Sequence, residues 1–243
     1  MSAGWLVVFA KRPLAGLVKT RLCPPLSPGQ AAELYGCLLA DALEESERAA
    51  RSLGLVPVVA VDPPDACAEI AASAPAGFRA VAQHGPDLGA RMAHVARTAA
   101  AAGARCALLR GSDSPTLALP ALREALRVLA SADVAVSPDR DGGYGLVALG
   151  ARALLRGFAS TSLFDHPMST PTVLADTEER ARRLELRVAR VAPGFDVDRF
   201  EDLRRLAAER HTNAALPCPR TLALLDAHAL WPAAAGAAEA GSH

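Results

Sequence analysis

The run Cys106-Ala107-Leu108-Leu109 passes through Arg110 into Gly111-Ser112-Asp113-Ser114-Pro115. A short apolar run closed by glycine reads as a buried strand. The Pro-marked, helix-forming segment after it, residues 119–129, completes a strand–loop–helix unit. In an open α/β sheet, the loop leaving the carboxyl end of a strand is where ligands bind. Asp113 sits there beside a glycine and two hydroxyls, and such a carboxylate can hold a divalent metal against phosphate oxygens. The stretch therefore predicts an α/β fold that handles a nucleotide.

Strand-like and helix-like segments alternate on both sides of it. Residues 5–10 (WLVVFA) form a continuous apolar run suited to a strand buried on both faces. A long helix follows the next loop, with Ser27 as its cap, Pro28 as its first residue and Gly54 as its end. Residues 55–61 (LVPVVAV) read as a second strand, which Pro57 pushes toward a sheet edge. A short helix over 64–73, a strand over 78–82 and a helix over 88–102, ended by Gly103, lead back to the central unit. Beyond it, 134–137 and 144–149 read as strands separated only by a turn, which predicts an antiparallel pair. A helix over 172–184, a half-exposed strand over 186–191 and a helix over 200–210 complete the pattern. The expectation is a three-layer α/β/α domain with a mixed, mostly parallel sheet. It is expected to occupy residues 1–211, with a C-terminal helix and a frayed Ala-rich tail over 212–243.

Composition narrows the function classes. A chain of 243 residues suits one sizeable domain, and the 51% of apolar residues comes mainly from Ala, Leu and Val. A formal net charge of zero gives no global field toward nucleic acid or an anionic membrane. Cys23, Cys37, Cys67, Cys106 and Cys218 are scattered without a CxxC pair, which suits reduced thiols in a cytoplasm. The first residues enter a strand-like run without the basic region and long apolar core expected of a signal peptide, and no apolar run approaches the roughly 18 residues that span a bilayer. The six histidines lack metal-ligand spacing. A soluble cytoplasmic protein without nucleic-acid or membrane partners is expected.

Four polar clusters fall where strands should end. The first runs from Lys11 to Leu22 (KRPLAGLVKTRL) and places four cations within eleven residues of a Pro- and Gly-containing loop. They could wrap a triphosphate, lysine as a point charge and arginine as a bidentate fork, or form a solvated basic surface. It is not a Walker A loop, because Val18 stands where glycine must precede the lysine. No GxGxxG follows the first strand, so nicotinamide and flavin folds lose support. The second cluster is 111–115, where Asp113 or Ser114 could equally cap a turn or helix. The third, Asp139-Arg140-Asp141-Gly142-Gly143-Tyr144, is a hairpin-turn signal or a close backbone approach to a ligand. In the fourth, residues 195–203 (FDVDRFEDL), Asp196 and Asp198 share a face if extended, and either could cap the last helix. Convergence of the strand ends would bring Asp113 and Asp198 around one metal, with Lys19 and Arg21 facing the same phosphates.

The order FAKRPLAGLVKTRL, GSDSPTL, DRDGGYGLVAL and FDVDRFEDL resembles the GT-A-fold nucleotide-diphospho-sugar transferase superfamily. More narrowly it is similar to a bacterial glycosyltransferase-like branch whose members sometimes accompany arsenosugar-type gene clusters. More distantly it resembles 2-phospho-L-lactate and molybdenum-cofactor guanylyltransferases. The resemblance implies a Rossmann-like GT-A domain and a transferase activity supported by Mg2+ (or Mn2+). It assigns Lys19 and Arg21, with Ala10, Lys11, Gly16 and Ser112, to the nucleotide. Asp87 and Gly89 fall where related enzymes contact base or ribose. Asp113 and Asp198 match the metal aspartates. Asp141, Gly142, Gly143 and Tyr144 match the acceptor side. The chain departs from the pyrophosphorylase loop in having Gly16 alone where those enzymes have several glycines. Ser112-Asp113 also replaces the paired aspartates of many glycosyltransferases, which favours nucleotidyl transfer.

The reaction expected is attack of a phosphate or carboxylate acceptor oxygen on the α-phosphorus of a nucleoside triphosphate, GTP or CTP favoured, with pyrophosphate leaving. Lys19, Arg21 and Asp113 would carry it. Such an acceptor needs no strong protein base, in keeping with the absence of a Ser/His/Asp or Cys/His signature. Two alternatives stand beside it: a glycosyltransferase using a nucleotide-sugar donor, and a non-catalytic nucleotide-binding protein.

Overall fold

Residues 3–158, 162–213 and 215–232 are described by a computed structural model. The strands are β1 (Gly4–Lys11), β2 (Leu55–Asp62), β3 (Arg79–Ala82), β4 (Cys106–Gly111), β5 (Val134–Pro138), β6 (Tyr144–Gly150) and β7 (Val188–Arg190). Eight helices connect them among the described residues: α1 (Pro28–Leu53), α2 (Cys67–Ser73), α3 (Leu88–Ala101), α4 (Leu119–Val128), α5 (Ala151–Arg156), α6 (Val173–Arg183), α7 (Asp202–Thr212) and α8 (Pro219–Ala227). The strands form one sheet in the order β3-β2-β1-β4-β6-β5-β7. Only β6 runs against its neighbours, β4 and β5.

Both faces of the sheet are covered, so its central strands are buried throughout. Val7 of β1, Leu109 of β4 and Val147 of β6 face Val95 and Ala96 of α3 and Ala153 of α5. On the other face, Leu6 and Leu108 meet Leu122 of α4, while Val8 and Val59 meet Tyr35 and Leu39 of α1. The α/β/α sandwich with a mixed, mostly parallel sheet is the architecture that the alternating apolar runs predict. The antiparallel β5–β6 pair is also as expected.

Helix α1 shows how local sequence fixes a boundary. Gln30 N–H donates to Ser27 Oγ (3.2 Å), and Ser27 N–H donates to Gln30 Oε1 (2.9 Å). This reciprocal cap satisfies two backbone donors that have no partner inside the helix. At the other end Gly54 adopts φ 64°, the left-handed conformation that stops a helix at low cost in glycine.

Two expectations need correction. Pro57 does not put β2 at the edge, because β3 lies outside it. However, β3 pairs only with Val58–Val61, so at Pro57 the strand is locally an edge and its missing N–H is tolerated. Helix α5, six residues long and directly after β6, carries no strong periodic signal and was not foreseen. At the carboxyl end, α8 docks on α1. Thr221 N–H and Oγ1 both donate to the buried Asp41 carboxylate, at 2.9 and 2.8 Å. The expected Ala-rich tail falls on 233–243, outside the described residues. Among the described residues, no helix is long and apolar enough to cross a membrane.

Removing the Ser27 hydroxyl tests the cap. Ser27→Ala is expected to cost about 1 kcal/mol. In a chain of this size that lowers the melting temperature by roughly 2–4 °C. Calorimetry of both proteins measures it.

Candidate functional site

Chain direction concentrates chemistry at one edge of the sheet. The parallel strands β1, β4, β5 and β7 end there, and the reversed strand β6 begins there, with Arg110 paired to Leu146 and Pro138 to Tyr144. The chain leaves β1 for β2 on one side, whereas β4 lies on the other. Their junction is the crevice in which open α/β sheets bind ligands. A cavity of about 580 Å³ opens at that junction, lined by Lys11, Lys19, Arg21, Ser112, Asp113 and Asp198 among others. A second, of about 570 Å³, adjoins it and shares Arg21, Asp141, Asp196 and Asp198.

The Lys19 ammonium stands at the centre. It donates to Asp113 Oδ2 at 2.6 Å and to Asp198 Oδ1 at 2.8 Å, and its side chain is only 6% exposed. The backbone of Lys19 is left-handed (φ 49°, ψ 35°), leading into a short 3-10 turn over Thr20–Leu22. Val18 and Leu22 on either side are buried, and this pins the loop with the lysine pointing inward. Burial disfavours the ammonium, but the two carboxylates outweigh it and hold Lys19 above the ordinary lysine range. Reciprocally, against the effect of burial, Lys19 holds Asp198 below the usual aspartate range.

A third carboxylate stands behind this pair. Asp196 accepts a short hydrogen bond from Ser114 Oγ. Burial first, and then the charge of Asp113, push Asp196 well above the usual aspartate range. The main chain locks the group together: Val197 N–H donates to Asp113 O (3.0 Å), and Asp196 N–H donates to Asp139 Oδ2 (2.9 Å). Asp202 Oδ2 accepts from Asp198 N–H (3.0 Å) and Arg199 N–H (2.7 Å). That leaves the Asp198 carboxylate to Lys19 instead of a helix cap.

Sequence reading missed three supports beneath the site. Arg110 is buried and donates to the carbonyls of Gly111 (3.0 Å), Ser114 (3.3 Å) and Leu117 (3.3 Å), which clamps the 111–117 loop. Burial pushes its guanidinium down to about 10. Tyr35 of α1 is buried, and its hydroxyl accepts from Lys11 N–H (2.8 Å) and meets Ser112 Oγ (2.9 Å). Gln83 Nε2 donates to the carbonyls of Ala10 (3.2 Å) and Ala60 (2.8 Å), joining β1 and β2 under the cavity. Arginine within a strand run was the one signal available for any of them.

Ala10, Lys11, Lys19, Arg21, Asp87, Ser112, Asp113, Asp141, Gly143, Tyr144 and Asp198 all line the first cavity. Gly16, Gly89 and Gly142 stand outside its lining. Gly142 (φ 89°) would place a Cβ 1.8 Å from Pro171 O, and Gly89 would place one 2.3 Å from Phe164 O, so both serve close packing. Gly16 (φ 79°) serves a turn in open space. Asp87 Oδ1 accepts from Ala90 N–H (2.8 Å) and so caps α3. The Tyr144 hydroxyl meets Thr177 Oγ1 (3.2 Å), and burial pushes it up to about 12. Arg12 turns away from the cavity to Asp65 and Glu69.

The residues fit a divalent metal in one respect. Asp113 and Asp198 present oxygens to a common point, now held by Lys19 Nζ. Among the described residues, no group of three or more His, Cys, Asp or Glu side chains is arranged to hold a metal. Magnesium bound through one or two carboxylates takes its remaining ligands from phosphate and water, and two aspartates meet that requirement.

With this geometry in view, the chain can be compared with known proteins. The family model described as "Uncharacterized protein conserved in bacteria (DUF2064)" matches residues 45–170. No curated protein matches the sequence. A solved protein of Desulfovibrio desulfuricans G20, provisionally described as a nucleotide-diphospho-sugar transferase, is 31% identical. The match covers 95% of this chain and 97% of that one, with a TM-score of 0.79. A cytidylyltransferase of Leptospira borgpetersenii serovar Hardjo-bovis (strain JB197) shares the fold at 12% identity and TM-score 0.59, over 97% of this chain and 99% of that one. CMP:2-keto-3-deoxy-manno-octonic acid synthetase, complexed with CTP, shares it at 15% identity and TM-score 0.51, over 87% and 99%. The chain belongs to the DUF2064 family and has the fold of the nucleotide-diphospho-sugar transferases.

Asp196 gives a pH test of this electrostatic arrangement. An aspartate raised above its unfolded value of about 3.9 costs the folded state stability as pH climbs through that value toward the folded one. Asp196→Asn keeps an acceptor for Ser114 and removes the charge. The variant is expected to gain more melting temperature over the native protein at pH 8 than at pH 4. An equal gain at both would show that Asp196 ionises normally in the fold.

Proposed function

We propose that this chain is a metal-dependent nucleotidyltransferase. It moves a nucleoside monophosphate from a nucleoside triphosphate, GTP or CTP favoured, to a small phosphorylated or carboxylated acceptor and releases pyrophosphate. The observation that carries this reading is the Lys19–Asp113–Asp198 cluster at the β1/β4 crevice, opening on a cavity that Lys11 and Arg21 also line. The CTP-bound synthetase and the Leptospira cytidylyltransferase, which share the fold, are nucleotide enzymes by description and support it. Gln83 lines the same cavity. Its Nε2 is committed to two main-chain carbonyls, so its Oε1 is the amide atom left to accept from a ligand.

Asp113 and Asp198 would hold Mg2+ or Mn2+, which when bound neutralises charge on the reacting phosphates. Lys11, Lys19 and Arg21 bind the β- and γ-phosphates and stabilise charge on the departing pyrophosphate. Ser112 and the Tyr35 hydroxyl orient the wall beside them. Asp141, Gly143 and Tyr144 face the acceptor. Arg21, Arg140, Arg199 and Arg205 line the second cavity, and their forked guanidinium groups suit an anionic acceptor. That acceptor arrives with its nucleophilic oxygen already ionised, so no general base is required. The reaction belongs in the cytoplasm, where nucleoside triphosphates are supplied.

A second reading is favoured by the Desulfovibrio relative: a glycosyltransferase that uses the same phosphate site for a nucleotide sugar and releases a nucleoside diphosphate.

Two measurements test the proposal. A thermal-shift screen of GTP, CTP, UTP, ATP and two UDP-sugars, with and without Mg2+, should give a Mg2+-dependent rise with GTP or CTP. Saturation at a hundredfold excess over Kd adds about 2.7 kcal/mol. A rise confined to nucleotide sugars transfers support to the second reading. Once turnover is found, Asp113→Asn is expected to lower kcat at least tenfold, and near-normal turnover would remove Asp113 from the site.

A further inference from the structure

Lys19 Nζ lies where both candidate metal ligands point. Asp113 Oδ2 at 2.6 Å and Asp198 Oδ1 at 2.8 Å form a two-oxygen grip of the kind that also takes a divalent cation. The ammonium and a metal cannot share it, because two cations at contact distance repel strongly in a part-buried site. Either the lysine holds the seat or the metal does.

The structure also indicates how the lysine could leave. Val18 and Leu22 anchor the loop, but Leu14 and Leu17 nearby are 43% and 70% exposed, so the surrounding turn carries little packing. Lys19 has a flexible four-carbon stem, and its rotation into the cavity brings the ammonium toward the space lined by Lys11, Arg21 and Ser112. That basic wall suits phosphate. A di- or triphosphate placed there offers the ammonium a new anionic partner and brings ligand oxygens that complete the metal's shell.

We infer that Lys19 is the resident counter-cation of Asp113 and Asp198 in the nucleotide-free protein, and that a divalent metal takes its place only together with a nucleotide polyphosphate. Metal binding and nucleotide binding are therefore strongly coupled, by the same factor in each direction. In the free protein Lys19 keeps the two aspartates together without metal. In the loaded protein it is a phosphate ligand. The inference rests on the nucleotide and metal reading above and adds the exchange at one seat.

The test measures Mn2+ binding by the electron paramagnetic resonance of free Mn2+, so it needs no activity. Native protein, Lys19→Met and Lys19→Gln are titrated with Mn2+ alone and with α,β-methylene GTP or CTP present. Methionine keeps the length of the buried stem without charge. Glutamine keeps a donor for the carboxylates and serves if the methionine variant fails to fold. Without nucleotide, the native protein should bind Mn2+ weakly and the neutral variants at least tenfold more tightly. The analogue adds ligand oxygens and should tighten Mn2+ binding in every form, beyond what the analogue alone chelates in solution, but by at least tenfold more in the native protein than in the variants. Equal nucleotide-free affinity in native protein and folded variants overturns the exchange while leaving the metal site intact. If no form binds Mn2+ even with the analogue, the metal site itself is wrong and the exchange falls with it.

Discussion

The cavity-bearing edge of the sheet is organised around one buried ammonium. Asp113 and Asp198 come from segments far apart in sequence, and Asp196 lies close behind. Three carboxylates brought this close repel one another and lose water, which would oppose folding. Lys19 answers two of them directly. The third is accommodated differently: Ser114 donates to it, and its ionisation is suppressed. The fold tolerates the acid cluster because its charge is divided between one ion-paired set and one group held toward neutrality.

Such a cluster needs rigid support, and the sheet topology supplies it. The ends of β1 and β4 lie side by side because the chain turns to opposite sides after them. The reversed strand β6 carries its first residues to the same edge, so Asp141 and Tyr144 face the cavity that Lys19 closes. Beneath them Arg110 is fully enclosed and spends its donors on loop carbonyls. Burying a guanidinium without a direct carboxylate partner is costly. Its place is explained by the loop it fixes, which carries Ser112, Asp113 and Ser114.

Sequence revealed the framework and the clusters but not how their members pair. Buried strands announce themselves as short apolar runs. The Ser27–Gln30 cap and Gly54 are local signals, legible because their chemistry acts within a few residues. Lys19, Asp113 and Asp198 were each visible as polar residues at strand ends. That the lysine occupies the point shared by both aspartates is a tertiary fact, set by the left-handed turn at Lys19 and by burial of Val18 and Leu22. Pro57 misled because the length of β3 decides where β2 is exposed, and that length lies in another segment. The paired glycines 142 and 143 also divide in a way no local rule states. One avoids Pro171 at close range, and the other lines the cavity. Tyr35 and Gln83 act through atoms that reach other elements, so their positions on a helix and beside a strand carried no functional signal.

The division of cations between the two cavities bears on the reaction. In the first cavity Lys11 and Lys19 are compact charges on flexible stems, and in the proposed reaction such a charge can follow a phosphate as it departs. In the second cavity the cations are arginines, Arg21 being shared with the first, and their planar forks suit a carboxylate or phosphate in fixed orientation. Arg205 is steadied further by lying 4.1 Å from the centre of the Phe195 ring. In the proposed reaction, a group that relaxes as pyrophosphate leaves and a group that holds an acceptor still have opposite mechanical needs, which lysine and arginine respectively suit. A neutral sugar acceptor would make little use of forked guanidinium groups. This physical difference sets nucleotidyl transfer to an anion ahead of glycosyl transfer on the same fold.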